Sequence, residues 1–391
     1  VHLEDLVGGA LSFYSAALIR KVGGVHIFVA EDRDSAAYML NDFYALLDEE
    51  RVHFFPTSYK RSILYGREDA QGVVQRTNTL NALRHHSKGC TVVCTYPEAI
   101  AERVADESAL SERSIRLRVG DSISIEALEE QLVESGFQQV DFVYEPGQYS
   151  LRGGIVDVFS YSESRPFRFD FFGDEIDSIR RFNISSQLSH DRTDEVEIIP
   201  NLNHSDMEKV SLVRFAGEAT CWFYDAEYVF KRVNDLRRRL LGEMEEPSKI
   251  DTLVTSRNTL LADMAACRVC LQRDNITERV ADATITFATT PQPKFNKNFE
   301  VLADDISDSM LKGYRTYILS ENRAQIERLD NIFHQMGRRS IEFDAVPVTL
   351  HEGFVDNSLK ICLYTDHQIF DRYRRYRING EIKRDEQMTV A

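Results

Sequence analysis

Hydrophobic and polar positions along this chain follow two different periods, and the change from one to the other divides it. Over residues 1–117 short apolar runs alternate with amphipathic stretches. LSFYSAALIRK reads as helix, VHIFVA as a buried strand and DSAAYMLNDFYALL as an amphipathic helix. HFF, QRTNTLNALRHH and GCTVVCTYPEAI repeat the alternation. Apolar strands separated by helices predict an α/β layer around a parallel sheet. Ser124 and its neighbours then offer caps for the helix IEALEEQLVESGF, which the glycine at 136 ends.

From residue 140 to 199 the period drops to two, with turns at Pro146-Gly147, Gly153-Gly154 and Gly173-Asp174. That is the pattern of a sheet-rich unit inserted into the first layer. After Pro200 the α/β pattern resumes: TCWFYDAE as strand, YVFKRVNDLRRRLL as charged helix, ATITFATT as strand. PQPKFNKN, rich in breakers, marks a boundary, and beyond it helix, strand, helix, strand (RSIEFD) and strand (LKICLYTDHQIF) form a further small α/β unit. The expected division is 1–117, an inserted 118–199, a return over 200–292, and 293–391. No internal repeat is visible.

Strand parity gives the most specific reading. In the run 167–172, FRFDFF, alternate residues share a face, so Phe167, Phe169 and Phe171 point to a core while Arg168, Asp170 and Phe172 point away. An outward aromatic beside arginine is a docking signature. The competing reading folds Phe172 back into the core at the strand end. On the docking reading, replacing Arg168 or Phe172 leaves the core intact.

Composition narrows the function. The 391 residues carry 47 Lys and Arg against 63 Asp and Glu, a net charge of −16, which disfavours a surface that binds nucleic acid or anionic membrane as a whole. Six cysteines at scattered positions make no disulfide framework, and the chemistry fits a reducing cytoplasm. Cys267 and Cys270 have a metal-type spacing without a second pair, so no zinc site is expected. No apolar run is long enough for a membrane span. The start at Val1 suggests a piece of a longer protein.

Catalytic motifs fail on inspection. A phosphate loop needs Gly-x-x-x-x-Gly-Lys-Ser/Thr, and the nearest candidate, Gly8-Gly9 before the first helix, is followed by Phe13 and Tyr14 with no lysine. It reads as a helix start with tight backbone packing. Asp225 follows an apolar strand as a magnesium carboxylate would, but has no phosphate loop to serve. His26, His85, His86, His334 and His367 fall in unrelated segments. The basic stretches 231–239 and 371–384 could meet phosphate, the second with stacking tyrosines. A solvated face, or a linker approaching another domain, accounts for both more simply.

The segment 143–182, VYEPGQYSLRGGIVDVFSYSESRPFRFDFFGDEIDSIRRF, resembles one shared by the bacterial transcription-repair coupling factors (Mfd) and the excision-repair protein UvrB. PQPKFNKNFEVL, at 291–302, looks like a motif of the coupling factors in particular. The lysine-free Gly8-Gly9 turn agrees, since their UvrB-like module has lost its phosphate loop. The resemblance implies a UvrB-like module of degenerate P-loop-type α/β subdomains with an inserted α+β domain, then a small α/β domain. It implies a non-catalytic recruitment module that binds UvrA, with Arg152, Arg168 and Phe172 on the contact positions. Such a module needs no cofactor and is expected to be monomeric. RNA polymerase and duplex DNA would be met by an ATP-driven translocase elsewhere in a longer protein. The alternatives are a UvrB-type damage-binding helicase and a nucleic-acid-binding module acting through 371–384.

Overall fold

The computed structural model describes residues 1–65, 68–202, 207–273, 281–338 and 340–378. Among these, seven strands form one wholly parallel sheet. Its spatial order is Thr284–Thr286, His2–Glu4, Arg268–Arg273, Ala219–Asp225, Gly24–Val29, Cys90–Thr95 and Val52–Phe54, so strands from both sides of residues 118–199 share one sheet. The central strands are nearly continuous apolar runs because helices cover both faces. Ile27, Val92, Val93 and Cys221 are fully buried, and Phe28 stacks on Trp222 with ring centres 5.0 Å apart.

The helices begin where their caps stand. Asp32 accepts from the Ser35 amide at the start of Arg33–Leu46. Asp225 accepts from the Tyr228 amide at the start of Ala226–Glu243. The basic face of that last helix is tied to acids, with Arg232 against Glu98 and Arg237 against Asp251. No helix among the described residues is long and apolar enough to cross a membrane.

The inserted unit is a second sheet of six described strands, in the order Ser189–Thr193, Glu175–Phe182, Phe167–Phe172, Ile155–Val158, Gln148–Arg152 and Gln138–Gln139. Pairing is antiparallel except at the last strand. The amphipathic helix Ile125–Glu134, capped by Ser124, lays Leu128 and Leu132 on its inner face against Phe167, Phe169, Val156, Ile176 and Ile179. The chain enters through Ile115–Arg118 and leaves through Glu195–Ile198, and these two segments pair antiparallel as a stem. Arg84, on the helix Ala70–Arg84 of the large layer, binds Glu197 of the stem.

A third sheet holds Thr289–Pro291, Phe354–Asp356, Ile361–Thr365, Arg315–Leu319 and Asp344–Val346. Here the pattern misled at two points. ATITFATT is not one strand: Thr284–Thr286 closes the large sheet and Thr289–Pro291 opens the third, so the chain changes sheets between them. RSIEFD yields a strand only from its last residue: Ile341 and Phe343 pack half-buried against the third core, but backbone pairing begins only at Asp344, opposite Tyr317.

The third unit closes onto the large one through backbone and buried charge. The Gly9 amide donates to the Glu352 carbonyl at 3.1 Å. A Cβ on Gly9 would stand 2.5 Å from that oxygen, and one on Gly8, at φ +54°, would stand 2.8 Å from the Gly353 carbonyl. Asp42, fully buried on Arg33–Leu46, accepts from the His351 amide at 2.6 Å and meets its ring Nδ1 at 2.5 Å. Residues 371–378 lie along the same helix: Asn41 exchanges two hydrogen bonds with the Arg377 backbone, Tyr38 meets Tyr373, and Arg374 stands 3.6 Å from Asp42. The solvated-face and linker readings of that stretch both leave room for these contacts, and positions 379–384 lie outside the described residues.

Burial opposes charge on His351, but the charge and hydrogen bond of Asp42 outweigh it and raise its pKa. A group whose folded pKa is raised stabilises below its unfolded value, ~6.5, and loses that contribution as pH rises through the folded one. Between about pH 6 and 8.5 the wild-type melting temperature should therefore fall more than that of His351→Asn, read by calorimetry.

Candidate functional site

The outer face of the inserted sheet is organised by one carboxylate. In Ile155–Val158 the valines at 156 and 158 enter the core, which turns Asp157 outward, opposite Arg168 on one neighbouring strand and Ser150 on the other. It is nevertheless fully buried. Arg168 covers it bidentately, with Nε 2.7 Å from Oδ1 and Nη2 2.9 Å from Oδ2, and Arg152 donates from Nη2 to Oδ2. Two cations thus share one anion, and charge-assisted forks of this kind fix the guanidinium planes. The hydrogen bond to Asp157 raises the Arg168 pKa above its ordinary value despite burial.

A second small core explains why Asp157 is dry. Val143, Phe159 and Phe182, all fully buried, pack on this outer face. The Arg168 guanidinium lies 4.4 Å over the Phe182 ring and also donates to the Gln187 carbonyl at 3.2 Å. Its side chain is only 14% exposed. Arg168 thus points away from the Phe167 and Phe169 core as parity assigned, but it is nearly buried and holds Asp157. Parity assigns the face of a residue, not its depth, and the segments 140–147 and 183–188 fold over this one.

Phe172 is different. It ends its strand opposite Glu175 and is 84% exposed, so it does not fold back into the core. The backbone beside it is held: Phe171 donates to the Gly154 carbonyl at 2.8 Å, and Gly153 and Gly173 adopt positive φ at the flanking turns. Phe167 and Phe169 are buried as parity requires, while Phe171 is half-buried at the rim of the same core. Arg152 is intermediate, 32% exposed, with its guanidinium 4.9 Å over the ring of Phe142. Asp170 is satisfied by Ser178 at 2.6 Å and by Arg180.

The structure thus joins Arg152 to Arg168 through Asp157 and sets Phe172 on the same face, beyond the Gly153-Gly154 turn. Sequence reasoning missed Asp157 and Phe142. The signal for Asp157 was an acid between two inward valines, in register with an outward arginine.

The other candidates are elsewhere. The Gly8-Gly9 turn starts the helix Ala10–Val22 and is packed against Glu352 and Gly353, the tight packing read from sequence. Asp225 caps its helix and stands 3.5 Å from Arg273. His26 accepts from the Trp222 indole at 3.2 Å, and the His367 ring meets the His351 carbonyl. Cys267 and Cys270 are half-buried, and among the described residues no group of three His, Cys, Asp or Glu is placed to hold a metal ion.

Comparison with known proteins gives a family match over residues 115–204, to the UvrB interaction domain. The chain is 22% identical to the transcription-repair-coupling factor of Staphylococcus haemolyticus over 84% of its own length and 34% of that protein. It is 25% identical to that of Escherichia coli K12 over 59% of this chain and 20% of that protein, and 28% identical to that of Bacillus subtilis over 51% and 17%. The resemblance read from 143–182 is borne out. The chain spans about a third or less of the length of these relatives.

Arg168→Ala should cost about 2 kcal/mol of stability, less than the ~3–5 of a fully orphaned buried ion because Arg152 still faces Asp157. Phe172→Ala should stay within about 0.5 kcal/mol of wild type. Urea unfolding of both variants checks the contrast.

Proposed function

We propose that this chain is the recruitment module of a transcription-repair coupling factor and that its inserted sheet captures UvrA through Arg152, Arg168 and Phe172. The observation that carries the reading is Phe172, a large aromatic 84% exposed at the end of its strand, on the same face as the Arg152–Asp157–Arg168 cluster and inside the span that matches the UvrB interaction domain. Phe172 supplies an apolar anchor. Arg152 supplies a partly exposed cation, and Arg168 locks the carboxylate that orients it. Large aromatics and arginines of this kind dominate interface energetics.

On this reading residues 118–199 are the docking unit. Residues 1–117 with the return from 200 to Thr286 form a degenerate UvrB-like P-loop layer, and the described residues from Thr289 to Ile378 a small unit locked onto it, so the boundary expected at 292/293 moves to where the chain changes sheets. The chain itself is non-catalytic, monomeric and cytoplasmic. Where a phosphate loop would wrap its ligand, the Gly9 amide is already engaged by the Glu352 carbonyl, and no lysine follows. RNA polymerase contact and ATP-driven movement on duplex DNA belong to other parts of the longer protein. The lysine-free turn also weighs against a UvrB-type helicase, and the net charge of −16 against a nucleic-acid-binding module.

Phe172→Ala should weaken UvrA binding by ~2 kcal/mol, roughly thirtyfold, with unchanged melting. Arg152→Ala should weaken it comparably. Wild-type affinity in calorimetric titrations of both variants would refute the assignment. The chain should also show neither ATP turnover above a buffer blank nor a melting shift with Mg-ATP.

A further inference from the structure

The loop 140–147 carries two exposed aromatics that neither the strand pattern nor the proposed contact set includes. Val143, fully buried between Phe159 and Phe182, plugs the loop into the outer face of the inserted sheet. Its neighbours therefore turn the other way: Phe142 is 47% exposed and Tyr144 55%. The loop is pinned at several points. Ser150 Oγ donates to the Asp141 carbonyl at 2.9 Å, and Gln148 Oε1 accepts from the Tyr144 and Glu145 amides at 2.8 and 3.0 Å. An exposed aromatic on a pinned loop is held in place before any partner arrives, so little ordering entropy is lost on contact.

Phe142 is also not alone. The Arg152 guanidinium stacks over its ring, while one Nη2 hydrogen bond to Asp157 and a 3.4 Å contact of Nη1 with the Asp141 carbonyl hold the plane. The remaining N–H groups of Arg152 find no acceptor among the described residues. Arg152 and Arg168 share the single charge of Asp157, so within this trio one positive charge is left over, on a chain whose net charge is −16.

We infer that Phe142 and Arg152 act as one stacked contact, receiving from the partner a carboxylate flanked by apolar surface. The inference rests on the UvrA reading above and adds both a residue and a chemistry to it. Arg152 offers the carboxylate its free N–H edge, which a lysine could not match in plane or direction. Phe142 backs the cation and shields the pair from water, which strengthens it. Asp157 is the positioning residue that keeps the guanidinium over the ring.

Purified UvrA is titrated against wild type, Phe142→Ala, Phe142→Tyr, Arg152→Gln and Phe172→Ala, with melting measured on each, at low and moderate salt. Phe142→Ala should lose at least about tenfold in affinity at unchanged melting temperature, and Phe142→Tyr, which keeps the stack, should stay within about threefold of wild type. Added salt should weaken wild type more than Arg152→Gln, since only wild type retains the charge pair. If Phe142→Ala binds like wild type while Phe172→Ala does not, this inference falls and the UvrA reading stands. It falls equally if Phe142→Ala binds poorly only because it melts, or if salt affects Arg152→Gln and wild type alike. If wild type itself fails to bind UvrA, both fall together.

Discussion

A single buried carboxylate sets the outer face of the inserted sheet. An ionised Asp157 without partners in so dry a place would cost several kcal/mol. Two arginines remove that cost only by meeting it in fixed planes. The requirement propagates outward: Arg168 lies over Phe182, a member of the second small core, and Arg152 turns toward the same carboxylate, which places it over Phe142. The rigidity of the face thus follows from neutralising one charge. Phe172, at the exposed end of its strand, stands outside this network.

Much of the architecture was legible because its physics is periodic. Continuous apolar runs such as VHIFVA announced strands covered on both faces, and the drop to a period of two announced a sheet with one core face. Phe167 and Phe169 went inward as their parity required. What parity cannot carry is a second layer of packing on the supposedly open side. Arg168 looked exposed because nothing local says that Val143, 25 residues earlier, and Phe182, 14 residues later, will meet beside it. The split of ATITFATT was hidden for a related reason: two short strands in different sheets share one run of β-branched residues, and only tertiary partners decide where it breaks.

The junction between the large and third sheets shows charge used for closure. Asp42 draws in the backbone and ring of His351 and the Arg374 guanidinium, so two segments distant in sequence converge on one helix. Among the described residues of the basic tract that suggested phosphate contact, Arg372 pairs with Asp366, Arg374 with Asp42 and Arg377 with Glu49. An acidic protein with many arginines can therefore have few that are available.

The stem of the inserted unit has a consequence for its portability. Ile115–Arg118 and Glu195–Ile198 run side by side, so the two chain crossings lie one strand spacing apart, ~4.8 Å. A unit whose ends are adjacent can be spliced into any host loop that already brings two residues that close, without stretching either. The family match begins at Ile115, the first residue of that stem, and ends six residues past Ile198, its last. The boundaries of similarity coincide with the seams along which a cassette could change hosts.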